Sequence, residues 1–208
     1  SDETTAKELL HTKIEDATNI ISYHIDDILK EQASTSKYYE VEVWKFIKDL
    51  YAEGVSPTAP LVRVNRQEES LVPEVSGTAV FKDTKLVGKL DPVETKYFSL
   101  IKDKLKGGLI LVEPTYKNVK NMVAFKVLGS KTKLEAKYVN QKIVIKIKTN
   151  MDLNIAETGY KVNLIDDPGR SFLKTFAEQE VEDRILEVIK KVQKKYHSDI
   201  FGFAPIIE

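Results

Sequence analysis

The chain contains no cysteine. That excludes disulfides, thiolate nucleophiles and cysteine-based zinc sites, and it leaves the compartment undetermined. Histidine is scarce. His11, His24 and His197 lie far apart, and none has a histidine or carboxylate at a recognised metal-ligand spacing. His24 stands four residues from both Ile20 and Ile28, beside an apolar stripe, and reads as a packed, hydrogen-bonded side chain. His197 follows a long helical pattern, where it interacts with the helix dipole. No apolar run approaches the roughly 18 residues of a membrane-spanning helix. Excess charge is also missing: 32 basic residues meet 32 acidic ones, for a formal net charge of zero. No global field therefore steers the chain to nucleic acid or membrane. Phosphate and nucleophile motifs are absent too. Gly107-Gly108 is not followed by Lys-Ser/Thr, and neither G-x-G-x-x-G nor G-x-S-x-G occurs. The expectation is a protein with no catalytic residue, no metal and no cofactor.

What is present is the composition of a globular protein. The chain is 42% hydrophobic and 31% charged, enough apolar material to bury a core. Its 208 residues allow one large domain or a small one plus a medium one. Ala17, Ile20, Ile21, Ile25, Ile28 and Leu29 recur at helical spacing and predict an amphipathic helix over residues 16–34, after a shorter one at 6–10. A further helix is predicted over 40–53, with Val43, Trp44, Ile47, Leu50 and Tyr51 on one side and Gly54 as its stop. Pro57 and Pro60 end it, and residues 61–64 read as extended. The polar run from Gln67 to Ser70 is the candidate domain junction.

The block from Val75 to Thr95, VSGTAVFKDTKLVGKLDPVET, reads as strand, turn, strand and capped helix. Val75, Gly77, Ala79 and Phe81 alternate; residues 82–85 form a polar turn; Leu86 and Val87 return. Asp91 is placed as N-cap, with Pro92 at N1 and Glu94 at N3, for a helix over 92–105 that stops at Gly107-Gly108. Strands follow over 109–113, 121–128, 133–139 and 142–154. In the last two, apolar positions alternate with charged ones, the pattern of antiparallel strands with one wet face. A helix over 169–196, about 40 Å long, carries the stripe Leu173, Phe176, Val181, Ile185, Val188, Val192 and Tyr196.

Two acidic groups read as structural. Glu178, Glu180, Glu182 and Asp183 crowd the long helix, where Glu180 and Arg184 form an i,i+4 pair, so the group is a solvated, dipole-matched face. Asp166-Asp167-Pro168-Gly169 has too few alternate ligands for a calcium loop and suits a turn and helix start. One asymmetry survives: nine lysines against a single glutamate between Tyr116 and Thr149, a local charge of +8. By period-two spacing, Lys142, Lys146 and Lys148 share one strand face. They read either as a basic face meeting anionic headgroups or an acidic partner, or as wet lysines that keep a sheet edge from pairing. Nucleic acid fits poorly, because that stretch has no arginine and few interleaved aromatics.

The pattern G-T-A-V-F-K-x-x-K-L-V-G-K-L-D-x-x-E-T from Gly77 to Thr95 resembles the C-subunit lipoproteins of GerA-type spore germination receptors, at the start of their C-terminal domain. Asp199-Ile-Phe-Gly-Phe203, after the long helix, resembles that family's D-I-F-G-F-G. Asn154-Ile-Ala-Glu157 resembles its strand ending in glutamate, and residues 41–60 resemble its short helix with "spv-x-P". The chain departs from the pattern at Ala204, where the family usually has glycine. It also stops at Glu208, where family members run on through further strands, and it carries no signal peptide or lipid-accepting cysteine. It therefore reads as a fragment, with residues 1–70 a helical unit at the tail of a preceding domain and 71–208 a C-terminal α+β domain, incomplete at its end.

The expected fold is α+β: an antiparallel-rich sheet packed against helices, one of them long. The resemblance implies a non-enzymatic scaffold or signalling subunit of a nutrient germinant receptor. It would sit lipid-anchored on the outer face of the spore inner membrane with two integral-membrane subunits, and without nucleic acid. The alternative is a binding module that captures a small nutrient in an apolar pocket between helix and sheet.

Overall fold

The computed structural model describes residues 36–67, 70–116, 118–160 and 167–207, with Ile25 and Ile28, both helical. The helix expected over 6–10, most of that over 16–34, and His11, His24 and Asp166 lie outside the described residues. Among the described residues from 36 onward, three antiparallel sheets and four α-helices follow. Helix α1 is Val43–Tyr51. Strands β1 (Thr58–Gln67), β2 (Ser70–Lys82) and β3 (Lys85–Leu90) pair in the order β1-β2-β3. Helix α2 is Pro92–Ile101. Strand β4 (Leu109–Val112) pairs with β7 (Val123–Val139), and β7 with β8 (Lys142–Thr158). Between them β5 (Thr115–Tyr116) and β6 (Val119–Lys120) make a small hairpin. Helix α3 (Asp167–Lys191) runs into a π turn, Val192–Tyr196, and α4 (Ala204–Ile207) closes the chain. Among the described residues no helix is long and apolar enough to cross a membrane.

The expected α+β fold is present, and so is its central block. Gly77 has φ +94°, and a Cβ there would meet the Leu90 carbonyl oxygen at 2.6 Å. Only glycine lets β2 and β3 close at that point. Asp91 caps α2: its Oδ1 accepts from the Glu94 amide at 2.9 Å, and the Asp91 amide donates to Glu94 Oε2 at 2.9 Å. This reciprocal box satisfies two donors that the helix leaves open. Glu94 also binds the end of α3, accepting from Lys191 Nζ at 2.7 and 2.6 Å. Burial alone would lower the Lys191 ammonium pKa, but the Glu94 carboxylate outweighs it and the net shift is upward. The Asp199 turn is equally explicit. Its carboxylate accepts from the amides of Phe201, Gly202 and Ala204 at 3.0, 2.9 and 2.9 Å. Ile200, Phe201 and Phe203 are thereby driven into the core.

The structure departs from the sequence reading at several points. The apolar side of α1 is turned outward, with Val43 76% and Tyr51 84% exposed. The helix is seated by Phe46, whose ring meets Phe81 edge-on at 5.3 Å. Helix α2 ends at Ile101 rather than 105, because Asp103 takes φ +57°. Its carboxylate leaves the helix to accept the Thr132 amide at 2.7 Å and to pair with Lys131, which holds its pKa below the usual carboxylate range. The strands expected at 121–128 and 133–139 are one strand, β7, with a register shift between Val127 and Gly129 that accommodates Leu128. A bulge of this kind bends a strand without ending it. The long helix changes to π geometry at Val192. This widened turn carries Tyr196 onto Gly88, where a Cβ would collide with the ring, and the Tyr196 hydroxyl donates to the Lys89 carbonyl at 2.9 Å. Phe176, expected in the buried stripe, is exposed, and Ala177 is buried in its place. Gln67 and Ser70, the ends of the candidate junction, pair with each other across β1 and β2.

Two expectations follow. Asp91→Ala lowers unfolding stability by about 1 kcal/mol. Glu94→Ala lowers it further, because it removes the box and the Lys191 tie together; denaturant melts measure both. Burial pushes the Tyr39 and Tyr97 hydroxyls up from 10.0 to about 12. Both groups favour the protonated form in the fold, so their contribution is complete below pH 10 and is lost as pH rises towards 12. A Tyr39→Phe/Tyr97→Phe variant should show a shallower loss of stability across that window than the parent; equal slopes would contradict the assignment.

Candidate functional site

Beyond Val127, β7 and β8 form a two-stranded ribbon, since β4 pairs only with residues 123–126 of β7. Side chains alternate across it. Leu134 faces Ile147, Ala136 faces Ile145, and Tyr138 faces Ile143 on one side. On the other side Lys133 faces Lys148, Glu135 faces Lys146, and Val139 faces Lys142. The three lysines singled out in the sequence therefore share one exposed face, joined by Lys131, Lys133 and Lys137 from β7. Lys131 is held by Asp103 and Lys120, elsewhere, by Glu113. Lys133, Lys137, Lys142, Lys146 and Lys148 have no ion-pair partner among the described residues.

The apolar face looks towards the first half of α3. Leu173, Ala177, Val181 and Ile185 come down from the helix at four-residue spacing, and Ile145, Ile147, Met151, Leu153 and Ile155 rise from β8. They do not close on one another, and an open groove of about 1180 Å³ runs between them. Its walls are aliphatic. Arg170, Lys174, Glu178 and Glu182 stand at the helix side, with Lys174 and Glu178 3.8 Å apart. The ribbon tip continues the apolar face into solvent, where Tyr138 is 74% exposed. No periodicity argument locates this groove, because it arises from a gap between two elements each amphipathic in its own right.

A smaller recess of about 490 Å³ lies where α1 meets the loop after α2, lined by Tyr39, Trp44, Phe98 and Lys102. Burial, and then the charge of Lys45, lower the Lys102 ammonium pKa, and its Nζ donates to the Phe201 carbonyl at 3.1 Å. The remaining sequence candidates stay apart from both cavities or serve local structure. Glu180 binds Arg184 at 2.8 Å, and Arg184 reaches Glu187 at 3.1 Å. Gln179 donates to Asp183 at 3.0 Å. Pro168 and Gly169 lie in the first turn of α3. His197 is exposed, with φ +50° as the residue closing the π turn. Among the described residues no three His, Cys, Asp or Glu side chains gather as a metal site would require.

Comparison with known proteins places this geometry in a family. Residues 76–208 match the model of "Spore germination B3/ GerAC like, C-terminal", and residues 1–64 match "Spore germination protein N-terminal domain". Spore germination protein YndF of Bacillus subtilis (strain 168) is 26% identical over 130 residues, 62% of this chain and 32% of that protein. The crystal structure of the GerBC protein superposes with a TM-score of 0.67 at 18% identity, covering 99% of this chain and 56% of that one, and so shares its fold. The chain spans about a third of the one relative and just over half of the other. By the match over residues 76–208, it belongs to the GerAC-like family of spore germination proteins, the receptor C subunits.

Proposed function

We propose that the chain acts as a non-enzymatic scaffold or signalling module of a nutrient germinant receptor. In this reading residues 1–70 and 71–208 are successive parts of a subunit tethered by lipid at the outer face of the spore inner membrane, beside two integral-membrane subunits. The observation that carries it is the outer face of the ribbon, where five lysines without ion-pair partners among the described residues lie on one surface of two strands. A tether keeps such a face within reach of an anionic bilayer, where screening extends over about 8–10 Å. Each lysine close to the headgroups then contributes about 1 kcal/mol. Their sum orients the subunit and presents the opposite, apolar face to the receptor.

A second reading keeps the same scaffold but assigns the groove a small nutrient. The mostly aliphatic lining of the groove between helix and sheet favours it, since small-ligand sites are concave and mostly apolar. The scaffold reading expects no tight nutrient binding. Ligand-observed NMR with amino acids and sugars separates the two, and micromolar binding of any of them would favour the second.

The lysine face is tested on vesicles. Lys142→Glu/Lys146→Glu/Lys148→Glu should melt within a few degrees of the parent and lose salt-sensitive binding to phosphatidylserine-containing vesicles. Lys133→Glu/Lys137→Glu, on the neighbouring strand of the same face, should weaken binding as well. If the parent chain does not bind such vesicles at low salt, the lysines are solvated surface and the orienting role fails.

A further inference from the structure

Among the described residues, no strand of the β1-β2-β3 sheet is hydrogen-bonded to a strand of the β4-β7-β8 sheet. A path of polar contacts joins the two sheets all the same, and it runs through the loop after α2, residues 102–108. On one side this loop grips β7 where the ribbon begins. Asp103 accepts the Thr132 amide at 2.7 Å and pairs with Lys131. The Leu105 carbonyl accepts from Ser130 Oγ at 2.7 Å, and the Gly108 carbonyl accepts the Val127 amide at 2.9 Å. On the other side Ser36 Oγ donates to the Gly107 carbonyl at 2.6 Å. One residue on, the Lys37 carbonyl accepts the Gly77 amide at 2.7 Å, and Tyr38 bridges to Gly77. Gly77 belongs to β2, so the path ends in the first sheet. Ser36, Tyr38, Leu105 and Thr132 are all buried, where a broken hydrogen bond is not replaced by water.

The backbone is left-handed at each turn of this path. Ser36 has φ +53°, Asp103 +57°, Gly108 +93° and Gly77 +94°. Glycine takes such angles freely. Serine and aspartate keep them only where their surroundings hold them, and here the hold is the contact each makes along the path: the Ser36 hydroxyl on Gly107 and the Asp103 carboxylate on Thr132. Lys102, at the head of the loop, donates from Nζ to the Phe201 carbonyl at 3.1 Å. That contact anchors the loop to the Asp199 turn.

We propose that Ser36–Tyr38 and residues 102–108 form a clasp that couples the ribbon to the first sheet. A displacement at the ribbon root changes how Ser36–Tyr38 sits on β2, and a change at β2 is felt at the root by the same measure, since coupling between two sites is reciprocal. The clasp extends the signalling reading above. Its test uses neither membrane nor nutrient, so the two can fail separately.

The experiment is hydrogen exchange at single amides, read by NMR on two variants. Asp103→Gly and Ser36→Gly each delete a side-chain contact and leave the left-handed backbone accessible. In Asp103→Gly the Thr132 amide loses its acceptor and exchanges faster. The Gly77 amide, which loses no partner of its own, should also exchange at least about threefold faster. In Ser36→Gly the Thr132 amide should speed up by a comparable factor. The Gly159 amide, bonded to the Met122 carbonyl at 3.0 Å beyond the far end of the strand pair, is the reference and should keep its parental rate. An unchanged Gly77 amide in Asp103→Gly overturns the coupling, and so does an unchanged Thr132 amide in Ser36→Gly. A Gly159 amide that rises by the same factor as the other two also overturns it, because the effect is then a general loss of stability.

Discussion

The groove exists because the long helix is fixed at one end and stands away from the sheet at the other. At its C-terminal end Lys191 is bound by both oxygens of Glu94, and the π turn lets Tyr196 lie on Gly88 and bond to Lys89. Val188 and Val192 are fully buried beside it. Glu94 is at once the third residue of the capping box and the acceptor for the helix end, so the start of α2 and the end of α3 are one joint. The Asp199 turn backs it from behind, tied to Ser56 by a backbone bond of 2.8 Å and a hydroxyl bond of 3.2 Å. From this joint α3 extends over the ribbon, and its first half meets β8 only across open space.

The ribbon answers that geometry with two unlike faces. Side chains alternate between the two faces of the ribbon, so each strand contributes to both. Aliphatic residues face the helix and lysines face away. Thr132 and Thr149, whose hydroxyls bond at 3.0 Å across the strands, and Asp103, which takes the Thr132 amide, hold the ribbon's root to the end of α2. The surface that meets solvent thus extends beyond a root tied to the end of α2.

Much of this was legible in the sequence where the cause is local. The cap at Asp91, the turn at Asp199, the strand alternation and the shared face of Lys142, Lys146 and Lys148 need only neighbours a few residues apart. What was not legible has distant causes. Helix α2 stops early because Asp103 finds an amide 29 residues away. β7 reads as two strands because Gly129-Ser130 interrupts its alternation, whereas a bulge carries it through. The hairpin of β5 and β6, with two residues a side, is too short for any period to register. Amphipathicity states that α1 has an apolar side but not what covers it, and the exposed Trp44 and Tyr51 follow from a seat made through Phe46. The groove belongs to the same class, as a relation between α3 and β8 that neither segment contains.

The central claim is that the β7–β8 ribbon is the working surface of a receptor subunit. The most direct measurement places a photo-crosslinking residue at Lys137 or Lys142 in the full-length protein in spores, with one at exposed Glu53 as reference. The account predicts crosslinks from the ribbon positions to headgroups or membrane subunits and few from Glu53. Crosslinks from Glu53 alone, or none from either ribbon position, would contradict it.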